Sequence, residues 1–495
     1  MHNSTTRRRR SSPRRARAAS VVTAVATTVA CLLVAACSSA DSAPSGPSRP
    51  AAVQVALSIT PAKIPVGATT TLTWTSTNAS TCSIDQGIGA QPAQGSVVVT
   101  PTSGGRVTYT LTCTGVGGTA AAPATLVVPM PVWPSSYENA KRIVLPDRNV
   151  PHPASYGMQD GIFGSPMAFG DFFQEGAYAA VLAFSTFGTN GLPPSLPSRL
   201  YTLQRGTAWV EATGAMFNDR TGCVSPRKSL VADFNRDGRP DVFFVCHGYD
   251  APPFAGEPQR ILLSQPDGTY RNSIVASAIT GFTHGGSAAD IDGDGKIDVV
   301  LTHTNALNST PYVLMGNGDG TFTRDMTRFP ASVAQKQIYS LELVDLLGTG
   351  RYDLLVGGGP PDATGNTSPG SAFPNGLLRN DGTGRFTQSP FVPFPNPAAP
   401  NGFRFGLGLD FIVRNGFIYM LQVGNGYGAI AVQKIRIADF TSTLIYEHQG
   451  NYASCNLQTW FPWLYPAPSG LLMAQGPNVP NTIPAESCYA VTVSP

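Results

Sequence analysis

Asp290-Ile291-Asp292-Gly293-Asp294-Gly295-Lys296-Ile297-Asp298, running straight into Val299-Val300-Leu301, decides how this chain is read. Asp290, Asp292 and Asp294 alternate along a tight loop, Gly295 lets the backbone turn, and Asp298 closes the set. Hard carboxylate oxygens therefore converge on one small volume. A hard cation satisfies such a cluster, and outside the cytosol calcium is the expected one. The pattern stands upstream a second time as Asp233-Phe234-Asn235-Arg236-Asp237-Gly238-Arg239-Pro240-Asp241, before Val242-Phe243-Phe244-Val245. For one such stretch a solvated acidic turn is the alternative; two in register make a repeat.

The starts of these loops, Asp233 and Asp290, are 57 residues apart, and Asp345, 55 further on, opens a weaker copy ending at Asp353. Leu347 and Thr349 stand where that copy needs side-chain ligands, so no cation is expected there. Asp171 and Asp410 precede decayed copies, the second before the strand-like Phe417 to Leu421, and Trp460 to Tyr465 with Leu471 to Met473 mark a sixth unit. A second landmark, strand then Gly-containing turn then aromatic strand, recurs at Tyr201 to Trp209, Ile261 to Tyr270, Tyr312 to Phe322 and Leu377 to Phe386. It predicts a hairpin ending each unit. All-strand units of this length fit propeller blades.

The nonapeptide opens like an EF-hand loop but closes early and leads into a strand. The joint pattern, with Gly318 to Phe322 and the Phe169-Gly170 and Phe405-Gly406 pairs at unit starts, resembles the FG-GAP or VCBS repeat family, which includes the integrin α-subunit propellers. The resemblance implies an all-β, calcium-binding propeller of six or seven blades over residues 161–495. It implies two Ca2+ sites: Asp233, Asn235, Asp237 and Asp241 with the carbonyl of Arg239, and Asp290, Asp292, Asp294 and Asp298 with that of Lys296. In the integrin relatives such loops lie opposite the ligand, so the resemblance places recognition on the other face.

The first 36 residues read as a secretory leader, with Arg7 to Arg10, Arg14, Arg15 and Arg17 ahead of an apolar run ending Val34-Ala35-Ala36-Cys37. That ending resembles a bacterial lipobox and implies cleavage before Cys37 and lipidation of its sulfur. An ordinary signal peptide with an incidental cysteine is the alternative. Ser38 implies no retention at the inner membrane, which makes the outer membrane or cell surface the expected location. All seven leader charges are Arg, so 26 of the 33 basic residues remain against 30 acidic ones, a net of −4. No basic patch is left to argue for nucleic acid, and contact with a membrane is expected through the lipid alone.

Residues 37–52, rich in Ser, Ala and Pro, read as a disordered tether. Period-two runs at Val55 to Ile59, Thr71 to Thr75, Ser96 to Val99, Val107 to Leu111 and Ala124 to Val128 predict a small sandwich over 53–129. The order of Trp74, Cys82 and Cys113 resembles bacterial Ig-like domains, although Trp74 precedes the first cysteine. Residues 130–160 form a Pro-rich connector whose plausible strand is Lys141 to Leu145. Outside the leader and Cys37 six cysteines remain, and an exported chain uses an even number in disulfides. Taking neighbours within one unit, the expected pairs are Cys82 with Cys113, Cys223 with Cys246 and Cys455 with Cys488.

No zinc-protease, serine-hydrolase, phosphate-loop or dinucleotide motif is present. His152, His247, His284, His303 and His448 are scattered without ligand spacing. Trp460, Phe461, Trp463, Tyr465 and Tyr427 offer surfaces for sugars or a partner, or pack blade against blade. The insertion from Gly357 to Pro374 is a further recognition loop. The expected role is non-catalytic recognition of a glycan or protein at the cell surface. A polysaccharide lyase or hydrolase and a structural part of an envelope complex are the alternatives.

Overall fold

The computed structural model describes residues 49–143, 167–183, 199–205, 208–249, 255–304, 310–359, 372–399, 401–425, 428–449, 463–467, 470–474 and 490–495. The leader, Cys37, His152, Tyr427, Trp460, Phe461, Cys455 and Cys488 lie outside them, as does most of the Gly357 to Pro374 insertion.

Residues 54–128 fold as two antiparallel sheets. Gln54–Thr60, Thr70–Thr77 and Gln94–Val99 make one sheet; Gly89–Gln91, Thr81–Ile84, Gly105–Gly115 and Gly118–Val128 make the other. Alternate side chains turn inward, which buries Leu72, Trp74, Leu111, Leu126 and Val128 together. Trp74 Nε1 donates to Pro92 O at 2.9 Å, so the indole is buried without an orphaned donor. The Cys82–Cys113 disulfide joins directly opposed residues of adjacent strands in one sheet.

Beyond residue 166 the described strands form six antiparallel sheets in chain order, five of four strands and a last one of three. Their first strands are Met167–Gly170, Pro226–Ala232, Thr283–Ala289, Ile338–Val344, Leu407–Arg414 and Trp463–Ala467. From the first sheet to the sixth, each of these strands packs beside the first strand of the next sheet. Apolar clusters fill the spaces between successive sheets: Phe234, Phe243 and Phe322 between the second and third, and Leu421, Val432, Leu464 and Met473 between the fifth and sixth. Side chains must be small where successive sheets approach most closely. A Cβ on Gly357 would stand 2.2 Å from Gly408 O, and one on Gly285 would stand 3.0 Å from the Ser340 backbone.

The connector corrects one expectation. Lys141 does not open a strand; it ends helix α1, Ser136–Lys141, which lies against the axial strands of the first four sheets. Ser135 caps the helix by accepting from Glu138 N at 3.1 Å, the S-x-x-E arrangement of a capping box. α1 binds the ring through its side chains. Asn139 Nδ2 donates to Val231 O at 2.9 Å, Ala288 N donates to Ser136 Oγ at 2.8 Å, and Val413 N donates to Tyr137 OH at 2.6 Å. Lys141 Nζ donates to Asp410 Oδ2 at 2.5 Å and to Leu464 O at 2.8 Å.

Two further expectations change. Asp410 opens no loop: it sits within the strand Leu407–Arg414, which turns through Asn415 and Gly416 directly into Phe417–Gly424. Phe386 is buried but not in a strand; the fourth strand of its sheet is Val392–Pro393.

Removing one partner of a buried ion pair leaves an uncompensated charge. Lys141→Ala should therefore destabilise the chain by about 3–5 kcal/mol in urea unfolding, and Lys141→Met with Asp410→Leu should recover most of the loss. Equal loss in the single and double variants would show that the pair does not act as a unit.

Candidate metal loops and an axial cavity

The nonapeptides close the hairpin between the first and second strands of their sheets, in one register throughout. Ala232 pairs with Asp241, Ala289 with Asp298 and Val344 with Asp353. The first Asp of each loop accepts the amide of a glycine five residues on: Asp233 from Gly238 at 2.8 Å, Asp290 from Gly295 at 2.9 Å and Asp345 from Gly350 at 2.7 Å. The decayed copy keeps this bond, from Gly176 to Asp171 at 2.8 Å. All four glycines have φ between 70° and 81°, a conformation costly to any other residue.

The closing Asp has a different place. Asp298 is buried and accepts Ile291 N at 3.1 Å and Gly316 N at 2.8 Å, pinning the loop to the third strand. Asp241 likewise accepts Phe234 N and Ser264 N at 2.8 and 2.7 Å. Asp241 Oδ2 also accepts Asn235 N at 3.3 Å, whereas each Asp298 oxygen keeps a second lone pair. Burial pushes both carboxyls up to about 7.

In the second loop, carboxylate oxygens of Asp290, Asp292 and Asp294 lie within 4.8 Å of one another. Burial first, then Asp294, raises Asp292 above the ordinary carboxylate range. Crowded, partly desolvated carboxylates of this kind fit a hard divalent cation. Without one, local cations offset them: Lys296 Nζ stands 2.5 Å from Asp294 and Arg328 stands 4.0 Å from Asp292. The first loop is arranged otherwise. Asp237 accepts Ser264 Oγ at 2.6 Å, and Asn235 Nδ2 points to Ser264 O at 3.0 Å. Arg239 and Lys296 each donate a backbone amide to the preceding loop Asp, at 2.9 Å. In the third loop Arg379 stands 2.5 Å from Asp353.

Two axial ion pairs brace the ring: Lys141 of α1 to Asp410 of the fifth sheet, and Lys228 of the second sheet to Glu342 of the fourth. On the loop face, a cavity of about 460 Å³ opens beside α1, between it and the ends of the axial strands of the fourth, fifth and sixth sheets. On the opposite face the opening is narrow, about 60 Å³, lined by Arg227, His284, Tyr339 and Trp463. The larger cavity therefore shares the face of the acidic loops, not the face on which the resemblance places a ligand. Nothing in the sequence signals it, since its walls come from four distant segments.

The histidines divide. His247 and His284 meet at the narrow opening, ring centroids 5.2 Å apart, and burial followed by Arg227 holds both below the ordinary imidazole range. His303 stacks on Tyr312 and shares a hydrogen bond with Thr283, with burial lowering it to about 4. The unfolded chain thus takes up the proton first, at about 6.5. The stability owed to neutral His303 is complete above that pH and is lost as pH falls toward about 4. Against His303→Gln, wild type should lose about 1.4 kcal/mol per pH unit across this window in urea titrations; parallel curves would contradict the assignment.

Residues 233–301 and 290–356 match the FG-GAP-like repeat family. No curated protein matches the chain in sequence. Among solved structures, a protein of unknown function from Bacteroides thetaiotaomicron is 8% identical over 86% of this chain and 96% of that one, with a TM-score of 0.36. The periplasmic gluconolactonase of Pseudomonas aeruginosa is 13% identical over 60% of this chain and 75% of its own, with a TM-score of 0.36. A rhamnogalacturonan lyase is 13% identical over 82% and 85%, with a TM-score of 0.33. Likenesses this distant carry no argument about activity. The matched repeats and the sheets ranged about α1 make the chain an all-β protein with a repeat β-propeller.

Proposed function

We propose that this protein is an exported, lipid-anchored recognition protein: an Ig-like stalk bearing a six-bladed, calcium-stabilised propeller that binds a glycan or a protein without transforming it. One observation carries the non-catalytic reading. Among the described residues, buried Lys141, Asp410 and Glu342 and half-buried Lys228 are consumed in axial ion pairs, one joining α1 to the fifth sheet and one joining the second sheet to the fourth. The cavity above them is lined by five aliphatic residues, Tyr137 and five charged ones, of which Glu138 is paired with Arg142 and Lys141 with Asp410.

Calcium at the Asp290 loop, and a second ion at the Asp233 loop, would lock each hairpin without touching the ligand. A cation bound by the folded state alone adds about 2.7 kcal/mol per site at one hundred times its dissociation constant. Chelation should therefore lower the thermal midpoint, and Asp290→Asn with Asp233→Asn should abolish the calcium dependence. An unchanged midpoint with and without calcium would remove the metal from this reading. For the function itself, full-length protein incubated with surface polysaccharides and envelope extracts should retain a ligand and release no new reducing ends or unsaturated products. Steady product release would establish the enzyme instead.

A further inference from the structure

The cavity beside α1 has a built chemistry. Val344, Ile412, Val413 and Pro466 give it apolar walls. Charged residues of both signs stand with them, Glu138 and Asp345 against Arg142 and Arg414. Glu138 Oε1 takes Arg142 at 2.5 Å, while Glu138 Oε2 is buried with no hydrogen-bond partner. Arg414 is exposed at the end of its axial strand. Lys141 lines this cavity and also a smaller one beside it, and its Nζ is bonded to Asp410 at 2.5 Å.

We propose that this cavity binds the terminal residue of a neutral saccharide, an inference that rests on the recognition reading above and names its ligand class. A hydroxyl both donates and accepts, so neighbouring hydroxyls satisfy a carboxylate and a guanidinium together. The aliphatic walls suit the C–H face of a sugar ring. With Lys141 neutralised by Asp410, two acidic and two basic side chains remain and give no preference for an ion, and a uronate or phosphate would meet Glu138 and Asp345. The volume of about 460 Å³ falls within the range of small-ligand sites. Because the Lys141 to Asp410 bond closes the floor, the site admits the end of a glycan chain and not its middle.

The test is calorimetric titration of the full-length protein in detergent with neutral, acidic and phosphorylated mono- and disaccharides. Arg414→Ala and Ala467→Trp are run beside wild type, with thermal midpoints confirming that each is folded. A neutral sugar should bind, and both variants should weaken it at least about tenfold, the effect of losing a charge-assisted hydrogen bond or the space itself. Equal affinity in both variants would overturn the cavity assignment while leaving recognition standing. Preference for acidic sugars, or retention of a protein partner with no sugar bound, would overturn the ligand class alone. Release of cleaved product would overturn the recognition reading beneath it.

Discussion

The first strand of every sheet in the ring is an edge strand, and edge strands present amides and carbonyls that must be paired or solvated. An unpaired buried group on such a strand costs about 1–3 kcal/mol. Helix α1 answers this need. Asn139 takes the Val231 carbonyl, Ser136 the Ala288 amide, Tyr137 the Val413 amide and Lys141 the Leu464 carbonyl. Four sheets are thereby tied to one six-residue helix. Neighbouring axial groups extend the network: Ser287 Oγ donates to Glu342 and accepts Leu343 N. The segment joining sandwich to propeller is thus also the core of the propeller.

The acidic loops solve a second problem, holding the first hairpin of a sheet in one register, and they solve it in several chemistries. In each, the leading Asp grips a left-handed glycine and the closing Asp grips the third strand. What neutralises the remaining charge differs: Arg379 in the fourth sheet, and Lys296 with Arg328 around the Asp290 cluster in the third. The fifth sheet dispenses with the loop through a tight turn at Gly416, which frees Asp410 to work on the axis. The acidic motif is therefore one version of a mechanical clamp, and its erosion along the chain does not erode the fold.

Much of this was legible in the chain. The period of the Asp loops located the hairpins of the second, third and fourth sheets, because a nine-residue loop fixes which residue pairs with which. The alternation of Thr and Val located the long strands of the sandwich, but Thr81–Ile84 and Gly89–Gln91 are too short and too poor in branched residues to show. The disulfides Cys82–Cys113 and Cys223–Cys246 followed from proximity in sequence. α1 is not found in the sequence although Ser135 and Glu138 carry the S-x-x-E signature of a helix start, since the surrounding prolines read as a connector and Lys141 to Leu145 as strand. Asp410 was misplaced because spacing alone cannot separate a loop aspartate from a buried one. The cavity was illegible, because it is defined only when residues 137–142, 344–345, 412–414 and 466–467 meet.

The shared-core role of α1 is tested most directly by native-state hydrogen exchange in wild type and in a Ser136→Ala, Asn139→Ala variant. If α1 unites the ring, protection should fall together in the axial strands Pro226–Ala232, Thr283–Ala289 and Ile338–Val344, including amides with no bond to the helix. Loss confined to the Ala288 amide, with the other axial amides as slow as before, would contradict that role and leave α1 as a passenger in a ring that holds itself.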